Sequence, residues 1–184
     1  MNPPDYLSKQ NPHERDSHIS FDEGPHIYTI DGDSDFMSVT TWNHSHFGHF
    51  DADEIITKME RKDYFNNPNH KYYQKTRQDI KDMWEKNRVE SSEAGTKMHY
   101  DIECYYNNCP NENNSIEYKY FLEFDDYLRS QTNCVPYRTE WMVYDKELKF
   151  AGSIDMLYEN EDGTVDICDW KRSKCIKKTN RFQS

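Results

Sequence analysis

The chain has 184 residues and a formal net charge of −11, a length suited to one domain with a small appendage. Leu, Ile, Val and Phe together number 30, a low aliphatic share that with this charge points toward disorder. Fourteen Tyr, nine Phe and four Trp oppose it, because each such side chain buries on the order of 150–250 Å², so an aromatic-rich folded core is expected. No run approaches the roughly 18 apolar residues of a membrane-spanning helix, which argues against a membrane protein.

Residues 1–20 are polar, contain Pro3, Pro4 and Pro12, and read as a flexible N-terminal arm. Residues 21–92 read as a hairpin and helical lead-in. The stretch 26–30 alternates, stops at Asp31-Gly32-Asp33 and resumes at Phe36–Val39, the pattern of a β-hairpin around an Asp-Gly turn. His44, His46 and His49 follow, but their i, i+2, i+5 spacing without a carboxylate pattern is a weak metal signal. Asp51–Lys62 begins acidic and ends basic, as a helix dipole favours. The spacing of Ile80, Met83 and Trp84 predicts a second helix over 76–90, and Met98, Ile102, Tyr105 and Tyr106 a third over about 93–107. A fourth helix is expected over 117–131, with Tyr120, Phe121, Phe124, Tyr127 and Leu128 as its core stripe. After Pro136 the period becomes two. Residues 137–144, 150–158 and 164–170 read as three strands of an antiparallel meander, which makes the fold class α+β.

Asp155 and Asp169 interrupt two otherwise apolar strands. A carboxylate in that setting is costly to bury unless it is paired or binds a cation. The two strands form one hairpin, and Lys171 lies two residues beyond Asp169, on the same strand face. Two carboxylates and a lysine on one face suit metal-assisted phosphodiester hydrolysis: the acids hold a hard cation, and the lysine orients or helps deprotonate water. The bland alternative for the same residues is a surface salt bridge on an exposed sheet face.

Gly152-Ser153-Ile154-Asp155, followed fourteen residues later by Asp169-Trp170-Lys171, resembles the signature of the PD-(D/E)xK nucleases in the G-x-I-D form of their RecB-like exonuclease branch. Gly95-Thr96-Lys97-Met98-His99-Tyr100-Asp101-Ile102-Glu103 is similar to that branch's G-x-x-x-H-x-x-x-E helix. The less specific lead-in, His26-x-Tyr28 with Ser38-Val39-Thr40-Thr41, is similar to that of phage and large-DNA-virus members. The resemblance implies a restriction-endonuclease-like αβββ core over 93–184 and a metal-dependent deoxyribonuclease acting on linear or single-stranded DNA, more as an exonuclease than an endonuclease. It implies Mg²⁺ or Mn²⁺ held by His99, Asp155 and Asp169, with Lys171 orienting the attacking water. Glu103 and Glu140 would support these ligands or join them.

The segment 171–181 carries six basic residues and no acid, against −17 for residues 1–170. Arg172, Lys174, Lys177 and Lys178 are therefore the expected phosphate contacts. The family's core continues past the lysine into a helix with a Q-x-x-x-Y motif, for which the thirteen residues after Lys171 leave no room. A second chain or protomer would then complete the core. The same departure keeps a second reading open: a catalytically silent nuclease-like fragment that binds DNA or a partner. The five cysteines, at 104, 109, 134, 168 and 175, are odd in number and form no CxxC pair. They read as reduced thiols. With no secretory leader pattern at Met1–Asp5, an intracellular compartment, cytoplasm or nucleus, is expected.

Overall fold

The structure, a computed structural model, describes residues 4–173. It is an α+β protein whose chain divides into two compact units, residues 43–94 and the remainder. Lys174, Lys177 and Lys178 lie outside the described residues. Among the described residues no helix is long and apolar enough to cross a membrane.

The larger unit is built on the expected meander. Strands β4 (Val135–Asp145), β5 (Phe150–Glu159) and β6 (Val165–Cys168) are antiparallel neighbours with β5 in the middle. A short strand, β3 (Met37–Ser38), is added parallel to the start of β5, making a mixed sheet. The expected hairpin over 26–39 is replaced by an earlier one. Strand β1 (Ile19–Asp22) pairs with β2 (Ile27–Ile30). Asp31 and Gly32 do turn, with φ of 51° and 85°, but the turn releases the chain toward β5 instead of back along β2.

Residues 4–18 pack against the rest of the larger unit. Helix α1 (Tyr6–Gln10) buries Leu7 in a cluster with Met98, Ile102, Tyr106, Tyr118, Phe121, Met156 and Tyr158. The Leu7 amide donates to Asn107 Oδ1 at 2.9 Å. Buried Arg138 on β4 donates to Asp16 Oδ2 at 2.9 Å and to the Asn11 carbonyl at 2.8 Å. Burial alone would raise the Asp16 carboxyl, but donation from Arg138 and Trp141 outweighs it and the net shift is downward. Three prolines and a polar composition conceal these anchors, because each of these hydrogen bonds reaches a partner a hundred or more residues away.

The smaller unit holds α3 (Ala52–Glu60), whose first turn is capped by Asp51 accepting from the Glu54 amide at 2.9 Å. Its core is Ile56, Tyr72 and Ile80. The second and third expected helices are one continuous helix, α4 (Arg77–Tyr106, 30 residues). Ser91, Ser92 and Gly95 weaken a helix by propensity alone, and without a proline nothing there removes a backbone donor.

Helix α5 (Ile116–Gln131) is rotated from its expected orientation. It buries Tyr118, Phe121 and Asp125, while Tyr120 and Tyr127 are exposed. Asp125 decides this. Its carboxylate, 1% exposed, accepts from Tyr105 Oη at 2.7 Å, Tyr106 Oη at 2.8 Å and Arg129 Nε at 2.7 Å, and the Tyr106 and Tyr158 hydroxyls meet at 2.6 Å. A buried charge with a full set of donors can occupy a core position that aromatic spacing assigns to Phe124. Asp125→Ala is expected to lower the unfolding free energy by on the order of 3 kcal/mol, because the buried Tyr106 and half-buried Tyr105 hydroxyls lose this acceptor. Arg129→Ala, on a half-exposed side chain, should cost about 1 kcal/mol or less. Urea denaturation of both variants checks the contrast.

Candidate metal centre

Helix α4 and strands β4 and β5 each supply one side chain to a polar cluster. His99, Glu140 and Asp155 present one nitrogen and two carboxylate oxygens, all within 4.8 Å of one another, and no other such group occurs among the described residues. His99 Nδ1 lies 3.6 Å from Glu140 Oε1 and 3.6 Å from Asp155 Oδ2. All three side chains are partly buried.

The third strand ends where the site begins. The β5–β6 register closes on Met156↔Cys168, so the next opposed pair would be Asp155 and Asp169. There the ladder stops, and Asp155 Oδ2 accepts the Trp170 amide at 2.7 Å. The carbonyl of Trp170 lies 2.8 Å from His99 Nε2. A carbonyl only accepts, so Nε2 is the donor and carries the proton, which leaves Nδ1 as the atom facing the two carboxylates. The expected strand over 164–170 therefore gives way after Cys168 to a segment tied down by side chains.

Glu140 lies between the pairs Thr139↔Met156 and Trp141↔Ile154, facing Asp155 across the ladder, and Ser153 Oγ donates to its Oε2 at 3.2 Å. Its φ of 43° is in the left-handed region, which costs a non-glycine residue about 1 kcal/mol or more. Glu103, one turn beyond His99 on α4, is partly buried, and its carboxyl makes no hydrogen bond or ion pair among the described residues.

The charges explain one another. The Glu140 carboxylate, then Asp155 and the Trp170 carbonyl, hold His99 above its ordinary imidazole pKa against the opposing effect of burial. Burial pushes the Asp155 carboxyl up, with Glu140 and Asp169 adding to it, while the Trp170 amide and His99 pull it down. Burial, and then the Glu140 charge, raise Glu103 to about 7. One nitrogen and two carboxylate oxygens crowded this way are a donor set that could hold a divalent cation.

Of the residues expected as ligands, His99 and Asp155 come together, and Glu140, ranked behind them, completes the trio. Asp169 does not enter it: its Oδ1 pairs with Lys171 Nζ at 2.7 Å, and both side chains are exposed. Arg172, expected to contact phosphate, pairs with Glu117 at 2.6 Å. The histidines 44, 46 and 49 form no metal group. The part played by the Trp170 amide was not read from sequence. Its signal was the hairpin register, which sets Asp155 against the residue before it. No family model, curated protein or solved structure matches the chain.

Glu103 gives the site a pH signature. A carboxyl at about 7 in the folded chain, against an ordinary value of 4.5, favours folding when protonated. That contribution is complete below about 4.5 and is lost as pH rises through 7. Glu103→Gln should therefore leave stability at pH 4 unchanged and raise it at pH 8. Discounted for partial solvent exposure, the gain is about 1–2 kcal/mol. Thermal unfolding of both proteins in EDTA at the two pH values measures it.

Proposed function

We propose that the protein is a divalent-metal-dependent deoxyribonuclease of the PD-(D/E)xK superfamily, RecB-like branch. The observation that carries this reading is the convergence of His99, Glu140 and Asp155 beside the Asp169-Trp170-Lys171 segment, whose backbone is fastened to two of them. In chain order α4 is followed by α5 and then by β4, β5 and β6, and this succession of helices and then a meander supports the reading. The exposed Lys171 ammonium, steered by Asp169, supplies the cation that the G-x-I-D…D-x-K pattern calls for.

His99 Nδ1, Asp155 and Glu140 would hold Mg²⁺ or Mn²⁺. A bound cation lowers the pKa of water and neutralises charge on phosphate. The chain's own residues do the rest. Asp155 and His99 fix the Trp170 backbone, so the position of Lys171 is set from two sides. Lys171 orients the attacking water and stabilises negative charge on the phosphoryl oxygens. Glu103, one turn from His99 on α4, is a partly buried carboxyl that burial and the Glu140 charge raise to about 7.

Asp155→Ala and Lys171→Ala should each reduce Mn²⁺-dependent degradation of linear DNA by at least about a hundredfold. Their thermal unfolding in EDTA should remain cooperative. His99→Ala and Glu140→Ala should weaken Mn²⁺ binding about ten- to a hundredfold by calorimetry. Undiminished cleavage by the Asp155 and Lys171 variants would sink the assignment. A wild-type chain that binds DNA but hydrolyses none at any Mg²⁺ or Mn²⁺ concentration would establish the silent nuclease-like module instead.

A further inference from the structure

We propose that residues 43–94 carry a stacking platform for unpaired nucleobases, through which the protein holds single-stranded nucleic acid. The platform is a cleft of about 520 Å³ lined by Phe50, Ala52, Lys81, Trp84, Glu85 and Arg88. Its floor is aromatic and rigid. Trp84 Nε1 donates to Tyr72 Oη at 2.6 Å, and Tyr72 is itself in the core of this unit. Phe50 meets the Trp84 ring edge-on, with centroids 5.5 Å apart and planes at 72°. It is 70% exposed. A ring left this open next to a fixed indole presents π surface to a ligand without prior rearrangement.

The rim supplies charge. Lys81 and Arg88 lie three residues before and four after Trp84, hence on the same face of α4. Lys81 pairs with Asp53 at 2.8 Å, and Arg88 makes two bonds to Glu85 at 2.6 and 2.8 Å. Ion pairs this exposed contribute little, so a phosphate can take over either cation at small loss.

Net charge selects the occupant. Residues 43–94 hold 9 basic and 10 acidic residues and four of the eight histidines, a net −1. The rest of the chain sums to −10. A polyanion therefore meets less net negative charge on residues 43–94 than on the remainder. Aromatic floor and cationic rim together are the combination that single strands use, bases on rings and phosphates on lysine or arginine. An apolar peptide would leave the rim unused, and the stacked bases of a duplex cannot reach the floor. The proposal rests in part on the nuclease reading, since both name a nucleic acid, but the two are tested apart.

Binding is measured by fluorescence anisotropy in EDTA, where metal-dependent hydrolysis does not occur. The probes are a labelled oligothymidylate of about twelve nucleotides and an abasic oligonucleotide of equal length and charge. The wild type should bind the oligothymidylate about tenfold or more tighter. Phe50→Ala, an exposed position whose loss spares the core, should remove most of that difference and leave abasic binding unchanged. Trp84→Phe should retain part of it. Equal affinity for the two probes, or Phe50→Ala binding like the wild type, overturns the platform. If the wild type shows base-dependent binding but no Mn²⁺-dependent cleavage, the platform stands and the nuclease reading falls.

Discussion

The backbone of Trp170 is gripped from two sides, its amide by Asp155 and its carbonyl by His99. This pair of bonds joins the end of the meander to the central strand and to the long helix, and it fixes which histidine nitrogen faces the carboxylates. The residues that grip are positioned by their neighbours in sequence. His99 follows Met98, and Asp155 precedes Met156; both methionines belong to the cluster that also holds Ile102, Tyr106, Phe121 and Tyr158. The Trp170 ring packs edge-on against Phe121 and Phe124 at 5.7 and 5.9 Å. The aromatic core is therefore also the frame that spaces the polar site. In a chain short of aliphatics, it takes over the positioning that Leu and Val supply elsewhere.

Buried and half-buried acids fall into two groups here, and their donors separate them. Asp125 has two tyrosine hydroxyls and an arginine. Asp16 has Arg138 and the Trp141 indole, and Asp101 has Lys97 and Asn113. Each of these carboxylates is satisfied where it lies, and its role in the fold needs no further partner. Glu140 and Asp155 have one such donor each, Ser153 Oγ and the Trp170 amide, and share His99, while the Glu103 carboxyl has none and feels the Glu140 charge. Their pKa consequences are those of charge short of compensation: Glu103 and Asp155 are both raised, and His99 is drawn toward its cationic form. A folded chain keeps such a cluster only when the rest of the structure tolerates the cost or a cation removes it.

What the sequence revealed was whatever a local period encodes. Strands β4 and β5 follow from their alternation, and α3 from its charge gradient. Asp155 stands out because it interrupts an apolar run. The failures share a cause, dependence on distant partners. The N-terminal segment reads as polar, yet Asp16 and Asn11 answer Arg138 across more than 120 residues. The stripe on α5 is mis-aimed because a carboxylate with three donors outcompetes a phenylalanine for the core. Gly95 and the two serines before it suggest a break that packing overrides. Asp169 was aligned with Asp155 by period, but the strand stops one residue earlier and its carboxylate turns to Lys171. Glu140 was legible through the resemblance as a supporting acid, but its left-handed backbone was not, since that depends on what holds its neighbours.

Those neighbours are pinned on both sides. Thr139 Oγ1 accepts from Asn107 Nδ2 at 2.8 Å, and the Trp141 indole donates to Asp16 Oδ1 at 2.8 Å. The ladder pairs both residues with β5 as well. Between two fixed points Glu140 cannot relax its φ of 43° without breaking one of them. Asn107 also accepts the Leu7 amide, and Asp16 also holds Arg138, so both anchors lead back to the N-terminal segment. The geometry of an acidic ligand on β4 thus depends on residues 4–18, the part of the described chain whose composition announces order least. Local strain at the centre is maintained by distant satisfied polar groups, the arrangement expected where a fold spends stability to aim a side chain.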